Sequence, residues 1–438
     1  MAGHDGGLQG AGVKFESICV LGLGYIGLPT ASTFAARGMR VTGVDVNMEV
    51  VRSLQNGQAH IHEPGLRELV QQAVGSGRLV VQDKPAEADA FIIAVPTPFH
   101  EDKSADLSAV VAAAESIVPV LRRGNLVVLE STSPPRTTLD VVVPILERSG
   151  LKAGQDFHLT YSPERVLPGQ IIRELSQNAR VVGGVDRASA EAARDLYGTF
   201  VTGEIVLTDA TTAEMVKLME NTYRDINIAI ANEFSRLAER FGVDIWEAID
   251  IANRHPRVKI LNPGPGVGGH CISVDPWFLV KAAPDITPLI ETARRVNDDQ
   301  PLFVVDRIRA MMDGDLRGRR IAVLGLAFKP DVDDLRESPA VKIVELLVQA
   351  GAQVSVFEPM DDDFTLPGVR TAKTLAVAVA DCELVLLLVG HAPFRKLLPG
   401  ELATITTSRL IFDAVNALEP QPWAHAGFDL HRLGASRI

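Results

Sequence analysis

The stretch SICVLGLGYIGLPTASTFAARGMRVTGVD, residues 17–45, decides the fold. Residues 17–21 are a compact apolar run of strand length, 26–37 have helical spacing, and 40–44 are apolar again. The segment therefore reads as strand, turn, helix, strand, one βαβ unit. Gly22, Gly24 and Gly27 stand at its turn as GLGYIG, with Tyr25 and Ile26 between the last two. Asp45 ends the second strand about twenty residues on. In this frame the first glycine permits the tight turn and the second lets backbone approach a pyrophosphate. The third allows close helix–strand packing, while the helix N-terminus meets the negative charge. A carboxylate at position 45 accepts hydrogen bonds from the adenine ribose and repels a 2′-phosphate, so the expected cofactor is NAD rather than NADP. A ligand-free Gly-rich turn is the alternative open to a bare GxGxxG; the βαβ frame and the acidic strand end weigh against it.

Working outward, apolar runs at 90–95 and 126–129, separated by helical patterns, extend a parallel sheet to about residue 205. Residues 211–240, TTAEMVKLMENTYRDINIAIANEFSRLAER, then run without Gly or Pro for about eight turns. Met215, Leu218, Ile226, Ile230, Phe234 and Leu237 keep three- and four-residue spacing there, the pattern of a core or a dimer seam. A second helical pattern over 245–252 ends near Pro256 and runs into NPGPGVGGHC, where regular structure is not expected. A new strand from Arg320, IAVLGLAF, is followed by the loop KPDVDDLRESP, a helix over 340–349 and the strand QVSVFEP, which echoes VTGVDVN. Runs at 380–389 and 410–413 supply later strands. The expected fold class is α/β: two Rossmann-like doubly wound parallel-sheet domains joined by a long central helix. The expected division is a flexible Gly-rich tail over 1–13, a dinucleotide domain over 14–205, a helical domain over 206–312, and a smaller α/β domain over 313–438. The second βαβ keeps only Gly325 of the glycine pattern and places Phe328 and Lys329 where a pyrophosphate needs open backbone, so a different ligand is expected there.

Composition sets the outer limits. A chain of 438 residues, 46% hydrophobic and 22% charged, has room for two or three cored domains and is too apolar for a mostly solvated polypeptide. A net charge of −12 argues against a nucleic-acid partner, so any anionic ligand must be met by local Arg and Lys. No apolar run approaches the roughly 18 residues that cross a bilayer. The opening MAGHDGGLQGAGVKFES lacks an apolar targeting core, and three scattered cysteines suit a reducing compartment, so a cytoplasmic enzyme without a membrane partner is expected.

Those cysteines differ in setting. Cys19 and Cys382 lie in or beside apolar strands and read as core fillers. Cys271 sits in GVGGHCISVDP, where backbone amides can turn inward and lower the thiol pKa, which is the setting of a nucleophile. A buried structural thiol is the plain alternative. A metal site with His270 is not expected, because adjacent Cys and His do not give tetrahedral spacing and no CxxC or HxxxH partner occurs.

With GLGYIGLP, HEPGL, AVPTP, ESTSPP, YSPERVLPG, AEMVKLMEN, GVGGHCISVDP and FKPDVDDLRESP in order, the chain resembles the nucleotide-sugar 6-dehydrogenases over nearly its whole length. This is the family of the UDP-glucose and GDP-mannose dehydrogenases. YSPERVLPGQ, NRHPRVKILNPGPGVGGHC and DPWFL look most like the branch acting on UDP-N-acetyl-D-mannosamine. The resemblance implies two successive NAD-dependent oxidations at the sugar C6, alcohol to aldehyde to acid, with Cys271 holding the intermediate as thiohemiacetal and then thioester. It makes Lys217 and Asn221 the oxyanion-stabilising pair, Asp275 the acid/base residue, and Glu164 and Thr132 the groups beside the hydrolytic water. Thr97, Thr132 and Arg336 join Gly22, Gly24, Tyr25, Ile26, Gly27 and Asp45 as cofactor contacts. Arg165, Val166, Lys217, Asn221, Gly268 and Lys329 become contacts to a UDP-N-acetylhexosamine substrate, and Arg257 an arginine reaching across a homodimer to the partner's substrate. Solvated surface charge is the plain reading of Lys217, Arg257, Lys329 and Arg336, as turn carboxylate and helix cap are of Glu164 and Thr132. Pro168 stands where the UDP-glucose enzymes carry a second glutamate, and His270 where many have Ser. A UDP-N-acetyl-D-glucosamine 6-dehydrogenase fits the same motifs, and a two-electron β-hydroxyacid dehydrogenase shares the cofactor domain and a helix bearing Lys and Asn.

Overall fold

The computed structural model describes residues 15–361 and 363–435; the tail expected over 1–13 lies outside them. The chain divides into two compact units, residues 1–220 and 221–438.

The first unit is built on an eight-stranded sheet. Its strands are β1 (Ser17–Leu21), β2 (Arg40–Val44), β3 (Leu79–Gln82), β4 (Ala90–Ile93), β5 (Leu126–Leu129), β6 (His158–Tyr161), β7 (Arg180–Gly184) and β8 (Ile205–Asp209), in the order β3-β2-β1-β4-β5-β6-β7-β8. All neighbours run parallel except β6 and β7. Alternate residues of a strand point to opposite faces, and the apolar runs are buried on both. Ile18 and Val20 join one core, while Cys19 and Leu21 join the other. Burial pushes the Cys19 thiol up to about 11, which leaves it an inert filler at neutral pH. The chain reverses direction across the sheet between β1 and β4, the crevice where doubly wound sheets bind ligands.

The long helix, Ala210–Phe241, has 32 residues, and the boundary between the units falls within it. Within the first unit Glu214 fastens it, accepting from the Thr138 N–H at 2.7 Å and the Thr138 hydroxyl at 2.6 Å. Within the second, the buried ion pair Asp225–Arg294 and the 2.9 Å bond from Asn232 Nδ2 to Asn297 Oδ1 tie it to the helix Pro288–Asp298. The core-facing stripe is therefore small and polar, with Asp225, Asn232, Ser235 and Ala238 all buried. Of the six apolar positions singled out from spacing, Leu218 is buried, whereas Met215, Ile230, Phe234 and Leu237 are exposed.

The second unit's sheet has six parallel strands: β9 (Arg320–Leu324), β10 (Gln353–Phe357), β11 (Val369–Thr371), β12 (Leu384–Leu387), β13 (Leu410–Asp413) and β14 (Asp429–Arg432). Their order is β11-β10-β9-β12-β13-β14. Ile321 and Val323 pack on one face and Ala322 and Leu324 on the other, the same two-sided burial as in β1. Among the described residues no helix is long and apolar enough to cross a membrane.

Candidate active site

The glycine turn is built as its sequence requires. Gly22 has φ +88°, and a Cβ there would lie 2.6 Å from the Ala94 carbonyl oxygen; a Cβ at Gly27 would lie 1.8 Å from that of Gly22. Both glycines are thus demanded by packing. Gly24 is different: a Cβ there meets nothing within 4 Å. The protein leaves that space open, as a cradle for a closely approaching ligand must. Tyr25 and Ile26 follow at the start of the helix Gly27–Ala36, whose free N–H groups favour an anion. The half-buried Asp45 accepts from the Leu23 N–H at 3.0 Å and the Asn47 N–H at 2.9 Å. That fixes the carboxylate beside the turn. Thr97, after β4, donates its hydroxyl to the carbonyl of Thr132, after β5, at 2.6 Å. These residues fit a dinucleotide with a free 2′-hydroxyl.

A second group in the first unit surrounds Glu164. Its side chain is 7% exposed, paired with Arg180, and accepts from the Arg165 N–H at 2.7 Å. Arg180 is itself buried and also contacts Glu130 and Ser162, each at 3.2 Å. Tyr197 donates to Glu130 at 2.6 Å, and the guanidinium lies 4.1 Å from the centre of the Tyr197 ring. One buried cation thus bridges two carboxylates. Burial pushes Glu130 up to about 7, against the opposing pull of Arg180. Lys217, on the long helix, donates to the Glu164 carbonyl at 2.9 Å. Arg165 is held in a fork by Glu220 at 3.1 and 2.5 Å and donates to the Ala179 carbonyl at 2.9 Å. The half-buried Val166 follows it. Arg180, Glu130 and Tyr197 escape sequence reasoning, because an arginine at the head of an apolar strand and a tyrosine at a helix end carry no spacing signal.

In the second unit Asn221 and Asp275 are both buried, and Asn221 Nδ2 donates to Asp275 Oδ2 at 2.6 Å. Asp275 opens the helix Asp275–Ala282, and its N–H donates to the Cys271 carbonyl at 2.8 Å. The half-exposed Cys271 thus sits one turn before the start of that helix. Gly268 and Gly269 let its loop pass close to neighbours: a Cβ on Gly268 would lie 2.5 Å from the Glu337 carbonyl oxygen, and one on Gly269 2.8 Å from the Phe328 ring. Arg336 reaches the same loop. Its carbonyl accepts from the Gly269 N–H at 3.2 Å, and its Nη2 lies 3.3 Å from His270 Nδ1 and 2.6 Å from Asp334 Oδ2. His270 is thereby assigned a neighbour that its sequence position does not reveal. Arg257 is exposed in the segment after the helix Ile245–Ala252.

Lys329 is half-buried in the loop after β9. That loop borders a cleft of about 220 Å³ lined by Ala327, Phe328, Pro330, Val389, Arg395 and Asn416, among others. The cleft lies at the carboxyl ends of β9, β12 and β13, the second sheet's own reversal of strand order. No cluster of three or more His, Cys, Asp or Glu placed to hold a metal occurs among the described residues.

Comparison with known proteins covers the whole architecture. Residues 16–201 match the model for the NAD binding domain of the UDP-glucose/GDP-mannose dehydrogenase family, 211–299 its central domain, and 322–420 its UDP binding domain. A UDP-N-acetyl-D-mannosamine dehydrogenase of Methanocaldococcus jannaschii is 47% identical over 425 residues, 96% of each chain. An NDP-N-acetyl-D-galactosaminuronic acid dehydrogenase of Ralstonia nicotianae is 49% identical over 395 residues, 88% of this chain and 93% of that one. Among solved structures, the UDP-D-ManNAc dehydrogenase of Pyrococcus horikoshii superimposes with a TM-score of 0.87 at 40% identity, over 96% of this chain and 100% of that one.

Proposed function

The chain belongs to the NAD-dependent UDP-glucose/GDP-mannose dehydrogenase family, and from that premise we propose that it oxidises UDP-N-acetyl-D-mannosamine at C6 to the uronic acid, in two steps. The observation that carries the proposal is the buried Asn221–Asp275 pair fastened to the Cys271 loop, in a chain nearly half identical to a dehydrogenase of that name.

Gly24, Asp45 and Thr97 are the residues that would hold NAD, which would supply the hydride acceptor for each of the two oxidations. Asp275 exchanges the proton of the reacting hydroxyl. Cys271 Sγ then bonds to the aldehyde carbon to give a thiohemiacetal, which keeps the half-oxidised sugar on the protein. Loss of the second electron pair leaves a thioester, and water displaces Sγ to release the acid. Lys217 and Asn221, four residues apart and so on one helix face, supply donors to the oxygen that becomes negative in these steps. Asn221 spends one N–H on Asp275 and keeps another for this purpose. Both oxygens of Glu164 already accept hydrogen bonds, so with Thr132 its part in hydrolysis is to orient the water.

The cleft at Phe328, Arg395 and Asn416 receives the nucleotide end, with Lys329 supplying charge to the diphosphate. The exposed apolar stripe of the long helix is the seam of a homodimer that brings Arg257 to the partner's substrate. The product is a charged building block for surface polysaccharide, made in the cytoplasm.

The test is stoichiometry on a panel of UDP-N-acetylhexosamines. UDP-N-acetyl-D-mannosamine is expected to yield two NADH per sugar, and Cys271→Ser to yield no acid. One NADH per sugar, or acid formation by Cys271→Ser, defeats the mechanism. Turnover of the N-acetylglucosamine epimer alone reassigns the substrate and leaves the chemistry.

A further inference from the structure

The two units repeat one device with a difference. In the first, the Gly22 N–H donates to the Val44 carbonyl at 2.8 Å and the Leu23 N–H to Asp45 Oδ2 at 3.0 Å. In the second, the Gly325 N–H donates to the Phe357 carbonyl at 3.0 Å, and the next residue, Leu326, to Glu358 Oε2 at 2.7 Å. Glu358 is therefore the positional counterpart of Asp45. Its carboxylate also takes the Ala327 N–H, at 3.1 Å, and it is fully buried where Asp45 is not. His391 covers it, with Nε2 3.1 Å from Oε2.

The other side of the imidazole fixes its tautomer. The Asp331 N–H, which can only donate, points at His391 Nδ1 from 2.9 Å, so Nδ1 is the bare nitrogen and Nε2 carries the hydrogen toward Glu358. Asp331 has φ +62°, a left-handed conformation costly for a residue with a Cβ. Its surroundings hold it there. Asp331 Oδ1 accepts from the Ala392 N–H at 2.6 Å, and Oδ2 from Arg395 Nη2 at 2.9 Å. These bonds join the loop after β9, with Phe328, Lys329 and Pro330, to the loop after β12, with Gly390 and Arg395. Both loops line the cleft.

Resting on the reading that this cleft takes the nucleotide, we propose that His391 is a positioning residue for substrate binding. Held by Glu358 on one side and the Asp331 amide on the other, it clamps the two loops at the spacing a uridine diphosphate requires. It has no part in the redox or acyl chemistry. The residue that reads a ribose in the first unit has become the buried anchor of a wall in the second.

The test uses the full-length protein with His391→Gln, which keeps a donor for Glu358 but has no acceptor at the place of Nδ1, where the Asp331 amide points. Asp331→Gly is the second variant; it removes the carboxylate bonds while relieving the positive φ. UDP binding is measured by calorimetry, and KM and kcat for the nucleotide sugar and NAD by NADH formation. Each variant is expected to weaken UDP binding and raise the sugar-nucleotide KM by about tenfold or more. The saturating kcat and the NAD KM stay within about twofold of the unmodified protein. Unchanged UDP affinity in the folded variants overturns the proposal, as does a fall in kcat and in NAD affinity that tracks lost stability. An unmodified protein that fails to bind UDP would instead defeat the functional reading on which the proposal rests.

Discussion

Asn221 Nδ2 and Asp275 Oδ2 lie 2.6 Å apart with both side chains buried, so each satisfies a polar group that water cannot reach. An amide can donate across that distance and a second carboxylate cannot. Asn221→Asp therefore sets two acids against each other, and one must take up a proton to stay buried. The variant is expected to lose about 2 kcal/mol or more of stability at neutral pH and to recover part of it on acidification. Urea unfolding at pH 5 and pH 8 measures both; equal loss at the two values would show that the pair is not in contact.

Gly24 and Gly27 separate ligand space from packing space. A methyl group at Gly24 has room, and replacing glycine where the backbone tolerates alanine gains about 0.4–1 kcal/mol. Gly24→Ala is expected to hold or raise the melting temperature while increasing the NAD KM about tenfold or more. Gly27→Ala collides with the Gly22 carbonyl and should unfold far more easily. An NAD KM unaffected in Gly24→Ala would remove the cradle from the account.

Glu130 carries a pH signature. Burial raises its carboxyl to about 7, so between the usual glutamate range and pH 7 the folded chain holds a proton that the unfolded chain has released. Rising pH then favours unfolding. His60 and His158, whose burial lowers their pKa, act in the opposite sense, so the informative quantity is the difference between variant and unmodified protein. Relative to the unmodified protein, Glu130→Gln is expected to gain about 1–3 kcal/mol between pH 5 and pH 8. A pH-independent difference in denaturant midpoints would contradict it.

Both βαβ units were legible because their information is local: strand, glycine turn and acidic strand end lie within thirty or so residues, and period and turn chemistry are visible in one pass. The irregular course of the segment leading to Cys271 was legible for the same reason, since its Gly and Pro residues cluster within ten positions. What escaped is long-range. Arg180 meets Glu130 across 50 positions and Glu358 meets His391 across 33, and nothing in the neighbourhood of either residue in the chain announces the partner. The antiparallel pairing of β6 and β7 and the strand Asp429–Arg432 escaped likewise, since strand direction is decided by pairing rather than by composition. On the long helix, spacing identified the apolar stripe but not its partner, because a core face and a dimer seam share one period.

That stripe supplies the last prediction. Ile230, Phe234, Leu237 and Phe241 recur at intervals of four, three and four, so they share one helix face, and they are 42%, 38%, 47% and 72% exposed. The face toward the core of the second unit is already occupied by Asp225, Asn232, Ser235 and Ala238, so these apolar side chains cannot turn inward without displacing buried hydrogen bonds. A contiguous apolar face of this kind is covered by a second copy in the homodimer reading. Leu237→Glu, alone or with Phe234→Glu, is expected to halve the mass in solution measured by light scattering, with the far-UV spectrum unchanged. If Arg257 serves the partner's substrate, the same variants should raise the sugar-nucleotide KM and leave NAD binding intact. A double variant that keeps the unmodified mass would place the seam elsewhere.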